Sequence, residues 1–221
     1  MDHLPRYYTH MTDYTFTTHI RSVETRDNQL IITLEDTIFH PQGGGQPADT
    51  GTITSSTGVA QITHVKRRED GVVEHTGTIL KGTLQPGDRV DCAINQTNRE
   101  LYTRLHSAGH VIDVALEQLN IRWEPGKGYH FPDGPYVEYR TTETPDTGLS
   151  SQLEAMLAEL IAQDIPTQID VRGPKRVVTL AGKAIPCGGT HVLSLKELGS
   201  IQIRHIKYKS GTVKIGYSIS P

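Results

Sequence analysis

The sequence predicts an α+β protein with two domains, because short β-branched segments fill its first ninety-odd residues and helical periodicity takes over afterwards. A chain of 221 residues is roughly one and a half times the usual domain length, which allows one large or two small domains. Hydrophobic residues make up 35% of it and charged residues 21%, as in ordinary globular proteins. We therefore expect a packed core that needs no disulfide staples.

The charge and hydropathy patterns narrow the class of protein. A formal net charge of −3 excludes a generally basic nucleic-acid coat but allows a local basic patch. No apolar run reaches the ~18 residues that a membrane span needs, and residues 1–13 are polar and aromatic rather than signal-like. We expect a cytoplasmic protein without membrane association, and no obligate protein partner is evident.

Short strands dominate the first domain, which we place at residues 1–95. Turn residues such as Asp27 and Asn28 separate runs rich in β-branched residues, and many short strands at close spacing predict a small barrel or a sandwich. Val90, Cys92 and Ile94 alternate, so Cys92 is expected to point into the core. The predicted strands are 14–23, 30–34, 51–54, 59–65, 71–75 and 89–94.

The second domain, residues 96–221, begins with a long amphipathic helix over 97–119. A second helix is predicted over 149–163, after turn and capping residues at 144–148. The remaining predicted strands are 136–141, 167–172 and 176–180, followed by a hairpin of 201–208 and 212–219 that turns at Ser210 and Gly211.

His106 and His110 lie four residues apart on the long helix, so both imidazoles share one face and could bind one metal ion. Asp113 could orient the His110 ring from outside the ligand set. The alternative is two surface histidines. The zincin pattern HExxH is absent, because Ser107 occupies the position of its glutamate. The polar stripe that we expect to border a wet site comprises Arg99, Tyr102, His106, His110, Asp113 and Glu117.

A second cluster, Cys187-Gly188-Gly189-Thr190-His191, offers a thiol and an imidazole around a flexible glycine pair. The two cysteines of the chain, Cys92 and Cys187, are too few for a disulfide framework, so free thiols or a metal ligand are favoured. With the two helical histidines, this cluster completes the nitrogen and sulfur set that zinc prefers. The alternative is a tight turn around a buried thiol.

Three consecutive glycines, Gly43, Gly44 and Gly45, precede Gln46 in a loop between predicted strands. Glycines free the backbone to approach a ligand closely or to offer its N–H groups. The Gln46 amide is suited to bind an amino acid or a terminal nucleotide. A flexible loop between strands is the alternative.

Together, HxxxH on a helix, CGGTH downstream and the N-terminal FxPxGGGQPxDxG resemble the AlaX family of alanyl-tRNA editing proteins, which is similar to the editing domain of alanyl-tRNA synthetase. The resemblance implies a translation-factor-like barrel, an α/β sandwich editing domain, and hydrolysis of misacylated tRNA(Ala). It also implies one Zn²⁺ per chain, held by His106, His110, Cys187 and His191. Residues 128–136, with four aromatic or histidine residues and two prolines, depart from the synthetase domain.

An editing enzyme has a physical reason to exist, because an alanine pocket cannot strongly reject serine, which only adds a hydroxyl, or the smaller glycine. We expect Ser-tRNA(Ala) as the chief substrate and Gly-tRNA(Ala) as a second candidate, with Thr190 or Gln46 contacting the serine hydroxyl. Two alternatives stay open: a zinc-stabilised RNA-binding module without catalysis, and a zinc hydrolase of small amino-acid esters.

Basic residues near the C-terminus are candidates for contact with tRNA phosphates. The alternative is a solvated strand edge, where lysine and arginine discourage aggregation. The candidates are Arg204, Lys207, Lys209 and Lys214.

Overall fold

The computed structural model describes residues 4–172 and 175–220, which fall into two compact units. The first unit extends to residue 43 and includes 47–100; the second contains 44–46 and the chain from 101 onward. Strands and helices both contribute, so the predicted α+β class is confirmed. Among the described residues, no helix has both the length and the apolar character required to cross a membrane.

Six antiparallel strands close the first unit into a barrel, which decides between the predicted barrel and sandwich. Their order around the barrel is β1-β2-β5-β4-β3-β6. The strands are β1 Thr15–Arg26, β2 Gln29–Leu34, β3 Gly51–Thr54, β4 Gly58–Arg67, β5 Val73–Gly82 and β6 Arg89–Ile94.

Side chains along a strand point to opposite faces in turn, and those that point inward fill the barrel core. Cys92 is 1% exposed in this core, as its alternation with Val90 and Ile94 predicts. The turn between β1 and β2 has positive φ at Asp27 (53°) and Asn28 (62°), as a two-residue hairpin turn requires. The β5 strand continues to Gly82, past the predicted end at residue 75. The prediction missed this second half because it is exposed and shows no alternation of buried and exposed residues.

Arg99 corrects one expectation, because it does not border a wet site. It is 1% exposed and forms a buried ion pair with Asp49, the aspartate of the glycine-rich motif. Its guanidinium also donates to the carbonyls of Met11 (2.7 Å) and Ile38 (2.6 Å). Since buried charges require partners, the pairing with Arg99 explains why the glycine-rich motif contains Asp49, for which the sequence spacing gives no role.

The second unit carries most of helix α1 (Gln96–Gln118) and all of helix α2 (Leu149–Ala162), and its core packs around buried residues such as Ile112, Leu153 and Val213. One sheet has the order β12-β13-β8-β7 and the other β11-β10-β9. Their strands are β7 Glu124–Tyr129, β8 Tyr136–Arg140, β9 Gln168–Arg172, β10 Lys175–Leu180, β11 Lys183–Pro186, β12 Ser200–Lys209 and β13 Thr212–Ser220.

Two of these strands, β7 and β11, are absent from the sequence-based prediction. β7 reads Glu-Pro-Gly-Lys-Gly-Tyr and its pairing with β8 shifts register between Pro125 and Gly128. Proline and glycine normally interrupt strands and are tolerated at edges and bulges. β7 is the edge of its sheet, which is why a strand forms where composition indicates a loop.

Candidate metal centre

The four predicted ligands come together in the second unit. His106 and His110 project from one face of α1, while Cys187 and His191 belong to the segment after β11. One donor atom from each residue lies within 4.8 Å of the others. The His106 Nε2 atom is 3.2 Å from Cys187 Sγ and 3.1 Å from His110 Nε2, which is 3.6 Å from Cys187 Sγ.

This donor set fits a single zinc ion. Three imidazole nitrogens and one thiolate are ligands that zinc prefers, with bonds of about 2.0–2.3 Å that separate donors around a tetrahedral ion by roughly 3.3–3.6 Å. The spacings of 3.1–3.6 Å among His106, His110 and Cys187 agree with that geometry. The group could therefore hold a metal ion, and its identity as zinc stays a prediction.

Local charges favour the thiolate, which is the metal-binding form of cysteine. Burial raises the pKa of the Cys187 thiol, but the His110 imidazole, the Gly189 N–H and the Arg176 guanidinium outweigh it, so the pKa falls below its ordinary value. Burial lowers the pKa of His110, and the neighbouring Asp113 carboxylate and Cys187 thiol outweigh this, raising it to about 9. The cluster thus pairs a polarised thiol with a basic imidazole.

Asp113 lies beside the His110 ring, where the spacing along the helix places it. Its Oδ2 atom is 3.8 Å from His110 Nδ1, and its Oδ1 atom accepts a hydrogen bond from the Tyr139 hydroxyl. A carboxylate fixed in this way is suited to orient the ring whose other nitrogen faces the cluster. That role for Asp113 stays a prediction.

Arg176 anchors the cysteine turn, a role that the sequence reasoning did not assign to it. Its Nη1 group donates to the carbonyls of Cys187 (2.7 Å) and Gly189 (2.9 Å), and its own carbonyl accepts from the Cys187 N–H (3.2 Å). At 5% exposure it is a buried cation with carbonyl partners. Arg176 lies on β10, and β11 separates it from Cys187 in the chain, so no local motif in the sequence links it to the turn.

The surroundings of Gly189 explain why the turn between Cys187 and His191 needs glycine at this position. A Cβ at this position would lie 2.6 Å from Cε1 of His106 and 2.9 Å from Oε1 of Gln46. Both atoms belong to buried side chains, so neither can move away cheaply. The glycine pair therefore makes room for a ligand ring, in addition to freeing the backbone.

The glycine loop is divided between the two units, with Gly43 in the first and Gly44, Gly45 and Gln46 in the second. Gly44 and Gly45 have positive φ, 56° and 78°, which favours glycine. A Cβ at Gly44 would lie 3.6 Å from Cε1 of His106, and one at Gly45 would overlap the Gly128 carbonyl. The loop thus lies against the candidate ligand His106, and at Gly45 any larger residue would overlap the backbone of β7.

Gln46 and Thr190, the two candidates for the serine hydroxyl, bind each other. Gln46 Nε2 donates to Thr190 Oγ1 (2.8 Å), and the Thr190 N–H donates to Gln46 Oε1 (3.0 Å). Both side chains are 0% exposed. Thr190 Oγ1 also lies 2.6 Å from Oγ1 of Thr103, a half-buried residue one turn before His106 on α1. The sequence reasoning missed Thr103, although helical spacing places it on the face of the ligands.

His130 is a further residue of this region that the sequence reasoning did not assign. Its ring centroid lies 4.8 Å from that of His106, and the side chain is 4% exposed. The His130 Nδ1 atom is 2.7 Å from the Tyr217 hydroxyl, which donates to the Leu105 carbonyl at 2.8 Å. Because the Tyr217 hydroxyl donates its only hydrogen to the Leu105 carbonyl, it accepts from His130, and the His130 Nδ1 atom carries the hydrogen. The ring occupies space that Cβ atoms at Gly109 and Gly128 would fill.

The four basic candidates lie on β12 and β13, at one end of the four-stranded sheet. Arg204, Lys207 and Lys209 are exposed and Lys214 is half-buried. The Arg204 guanidinium donates to the Pro135 carbonyl at 3.1 Å, so it also fixes the loop after β7. The structure thus brings these cations onto one sheet, and their contact with RNA stays a prediction.

Residues 7–98, which include the barrel strands, match the family of class II (A) tRNA synthetases. The alanine–tRNA ligase of Methanoregula boonei is 27% identical over 197 residues, 79% of this chain and 21% of that protein. For the ligase of Synechococcus sp. the identity is 29% over 220 residues, 84% of this chain and 24% of the relative. The chain spans about a fifth to a quarter of the length of these ligases.

A shorter relative defines the family. The alanyl-tRNA editing protein AlaX-M of Pyrococcus horikoshii is 30% identical over 189 residues, which cover 82% of each protein. This chain belongs to the AlaX family of alanyl-tRNA editing proteins, as the three motifs predict.

Proposed function

We propose that this protein is an aminoacyl-tRNA hydrolase that removes a wrong amino acid from tRNA(Ala), with serine as the chief target and glycine as a second. The observation that carries the proposal is the match to AlaX-M over 82% of both chains. It is supported by the convergence of three histidines and one cysteine within 4.8 Å. The ligases that share this region are named for alanine and tRNA.

We propose one Zn²⁺ per chain as the cofactor. When bound, zinc would polarise the ester carbonyl or a water molecule, or anchor the amino acid. A catalytic zinc keeps a position open for water or substrate. The mutual spacing of 3.1–3.6 Å supports His106, His110 and Cys187 as fixed ligands, and we propose that His191 is the ligand that exchanges.

Discrimination of serine is assigned to a chain of hydrogen bonds that runs from Gln46 through Thr190 to Thr103. A hydroxyl group has one donor and two acceptor sites. Thr190 Oγ1 accepts from Gln46 and contacts Thr103, so the buried pair can fix the direction in which the half-buried Thr103 hydroxyl points. A site built to hydrogen-bond the serine hydroxyl rejects alanine far better than an apolar pocket rejects an added group.

The finer architecture follows the family resemblance. We propose that residues 1–95 form a translation-factor-like barrel domain with the glycine loop, and that residues 96–221 form an α/β sandwich editing domain. Arg204, Lys207, Lys209 and Lys214 would bind tRNA phosphates. The protein would act in the cytoplasm, on tRNA(Ala) carrying a wrong amino acid, without an obligate protein partner.

Single-turnover deacylation tests the proposal. The zinc-loaded protein should release serine from Ser-tRNA(Ala) and leave Ala-tRNA(Ala) charged. Elemental analysis of the same preparation should find about one zinc ion per chain. Binding without hydrolysis would favour an RNA-binding module, and hydrolysis of seryl esters irrespective of the tRNA would favour a small-ester hydrolase.

A further inference from the structure

Three aromatic rings form a column on the second unit. Phe131 stacks on Tyr129 with centroids 4.6 Å apart and planes 14° apart, and Tyr129 stacks on Tyr136 at 5.3 Å and 19°. The ammonium group of Lys214 lies 3.3 Å from the centre of the Tyr136 ring. All three rings remain partly exposed. This aromatic column, Phe131–Tyr129–Tyr136, is therefore a surface feature with a cation at one end.

Cross-strand packing accounts for only part of the column. Tyr129 and Tyr136 are direct partners in the β7–β8 register, and such pairs commonly stabilise sheets. Phe131 lies beyond the end of β7, with no strand partner. In the described part of the chain, no further ring or cation stacks on Phe131. The column thus ends in a partly exposed ring that has only one stacking partner among the described residues.

The same face of the sheet is basic. In the register of β12 with β13, Lys207 pairs with Lys214, Lys209 with Thr212 and His205 with Gly216. Lys214 pairs in turn with Glu138 on β8, and alternation puts Glu138 on the face of Tyr136. The opposite face carries the buried residues Val137, Tyr139, Val213 and Ile215.

Positive charge prevails on this face although acidic groups are present. Asp133 accepts a hydrogen bond from the Tyr129 hydroxyl at 3.1 Å, and Glu138 lies 3.9 Å from Lys214 Nζ. Burial first, and then the charges of Lys207, Arg204 and Lys214, lower the pKa of His205. A field that disfavours a further positive charge attracts phosphate.

We propose that this sheet face binds the single-stranded 3′ end of tRNA, with a base stacked on Phe131 and phosphates on Lys207, Lys209 and Lys214. Open sheets that combine aromatic rings with cations are an established way to bind unpaired nucleotides, because every base has a π-face and every linkage a negative charge. The occupant is a single strand rather than the interior of a duplex, because a base stacked between two neighbours in a helix has no free face for Phe131. The inference rests on the proposed function, which supplies tRNA as the substrate.

The placement of the column agrees with this role. Tyr129 and Phe131 flank His130 in the chain, and the His130 ring lies 4.8 Å from the ring of the proposed ligand His106. Side chains alternate along an extended segment, so this segment presents the column on one face and the His130 ring, beside His106, on the other. An RNA strand stacked on Phe131 would pass the edge strand β7 to bring its aminoacylated terminal ribose to the proposed reaction centre.

Binding of an RNA that carries no amino acid tests the inference without requiring hydrolysis. The probe is a short single-stranded RNA ending in CCA with 2-aminopurine next to its 3′ terminus, and the protein is the full zinc-loaded chain. We expect binding to quench the 2-aminopurine fluorescence, as stacking on an aromatic ring does. A blunt RNA hairpin of the same length should bind more weakly.

Two substitutions localise the effect. Phe131→Leu keeps apolar bulk but removes the ring, and should weaken binding of the single strand on the order of tenfold. Phe16→Leu makes the same change at a half-buried ring of the barrel strand β1, outside the column, so it should bind as the wild type does. Phe131→Trp should restore quenching, which separates loss of a ring from loss of folding.

Equal affinity of Phe131→Leu and wild type, or binding without quenching, would overturn the inference. Release of serine by the wild type without any preference for the single strand would also overturn it, and would leave the proposed function in place. Quenching by a protein that hydrolyses no aminoacyl-tRNA would count against the proposed function and support the stacking site.

Discussion

At the scale of one residue, Arg176 shows how the turn that contains Cys187 and Gly189 is held in shape. Its guanidinium bridges the carbonyls of Cys187 and Gly189, on either side of Gly188. Arginine presents several donors in a rigid fork, whereas lysine presents one flexible ammonium. The position of the Cys187 sulfur thus depends on a side chain that is not itself a proposed ligand.

The change Arg176→Lys should therefore lower zinc affinity about 10- to 100-fold, the usual effect of losing a group that orients a ligand. Competition with a chelating dye measures the affinity. Arg204→Lys is the matched control, because Arg204 also donates to a backbone carbonyl, that of Pro135, but not in the metal turn. Wild-type affinity in Arg176→Lys would show that the turn is shaped without it.

Thr190 governs the second prediction at this scale. Thr190→Val removes the hydroxyl that joins Gln46 to Thr103 but keeps the shape of the side chain. We expect the ratio of serine to alanine release to fall about three- to tenfold, as for the loss of one hydrogen bond, with zinc content unchanged. Single-turnover deacylation of both tRNAs gives the ratio, and Thr63→Val, on the exposed side of β4, is the control. An unchanged ratio would place serine recognition elsewhere.

At the scale of elements, the sequence predicts what is periodic and misses what depends on tertiary partners. The 3.6-residue period identifies α1 and aligns His106 with His110, and nearly all of its predicted apolar stripe is buried. No period marks β7, because Pro125 and Gly126 hide an edge strand. Likewise, Arg99 lies on the polar side of the helical pattern and is buried because Asp49 pairs with it from far along the chain.

The convergence of the four candidate ligands could be predicted because two short motifs each contain two donors at fixed spacing, and their binding of a metal stays a prediction. Residues such as Arg176, Thr103 and His130 could not, since their parts depend on hydrogen bonds and ring contacts between distant segments. The sequence assigned Gln46 and Thr190 to the substrate individually, and only the fold shows that they bind each other. The division of domains at residue 95 stays a prediction.

The buried ion pair of Asp49 and Arg99 joins the glycine-rich loop to the first turn of α1, and both side chains are 1% exposed. Asp49→Asn leaves the Arg99 charge uncompensated and should reduce the free energy of unfolding by about 3–5 kcal/mol. Glu24→Gln, which disturbs an exposed pair with Arg26 at 3.0 Å, should change it by less than about 1 kcal/mol. Urea titration followed by circular dichroism measures both, and equal effects would show that burial does not strengthen the pair.

At the scale of the whole molecule, a formal net charge of −3 conceals a basic face. Lys207, Lys209 and Lys214 lie within two neighbouring strands. Long-range attraction depends on where charges cluster and less on their sum. A protein that is acidic overall can therefore bind tRNA by one side, and its affinity should reveal how many phosphates that side contacts.

Salt dependence turns this into a measurement. Each neutralised phosphate contributes about 0.7–0.9 to the slope of log affinity against log salt concentration, so reversing Lys207, Lys209 and Lys214 to glutamate should weaken tRNA binding and reduce the slope by roughly 2–3. Zinc content should not change. Reversing the exposed cations Lys81, Arg89 and Lys196 alters the net charge equally and should have a much smaller effect, because the loss follows contact rather than total charge. If the two triple variants lose affinity alike, tRNA senses only the overall charge; if neither does, the RNA surface lies elsewhere, with the run Lys66, Arg67 and Arg68 as the next region to reverse.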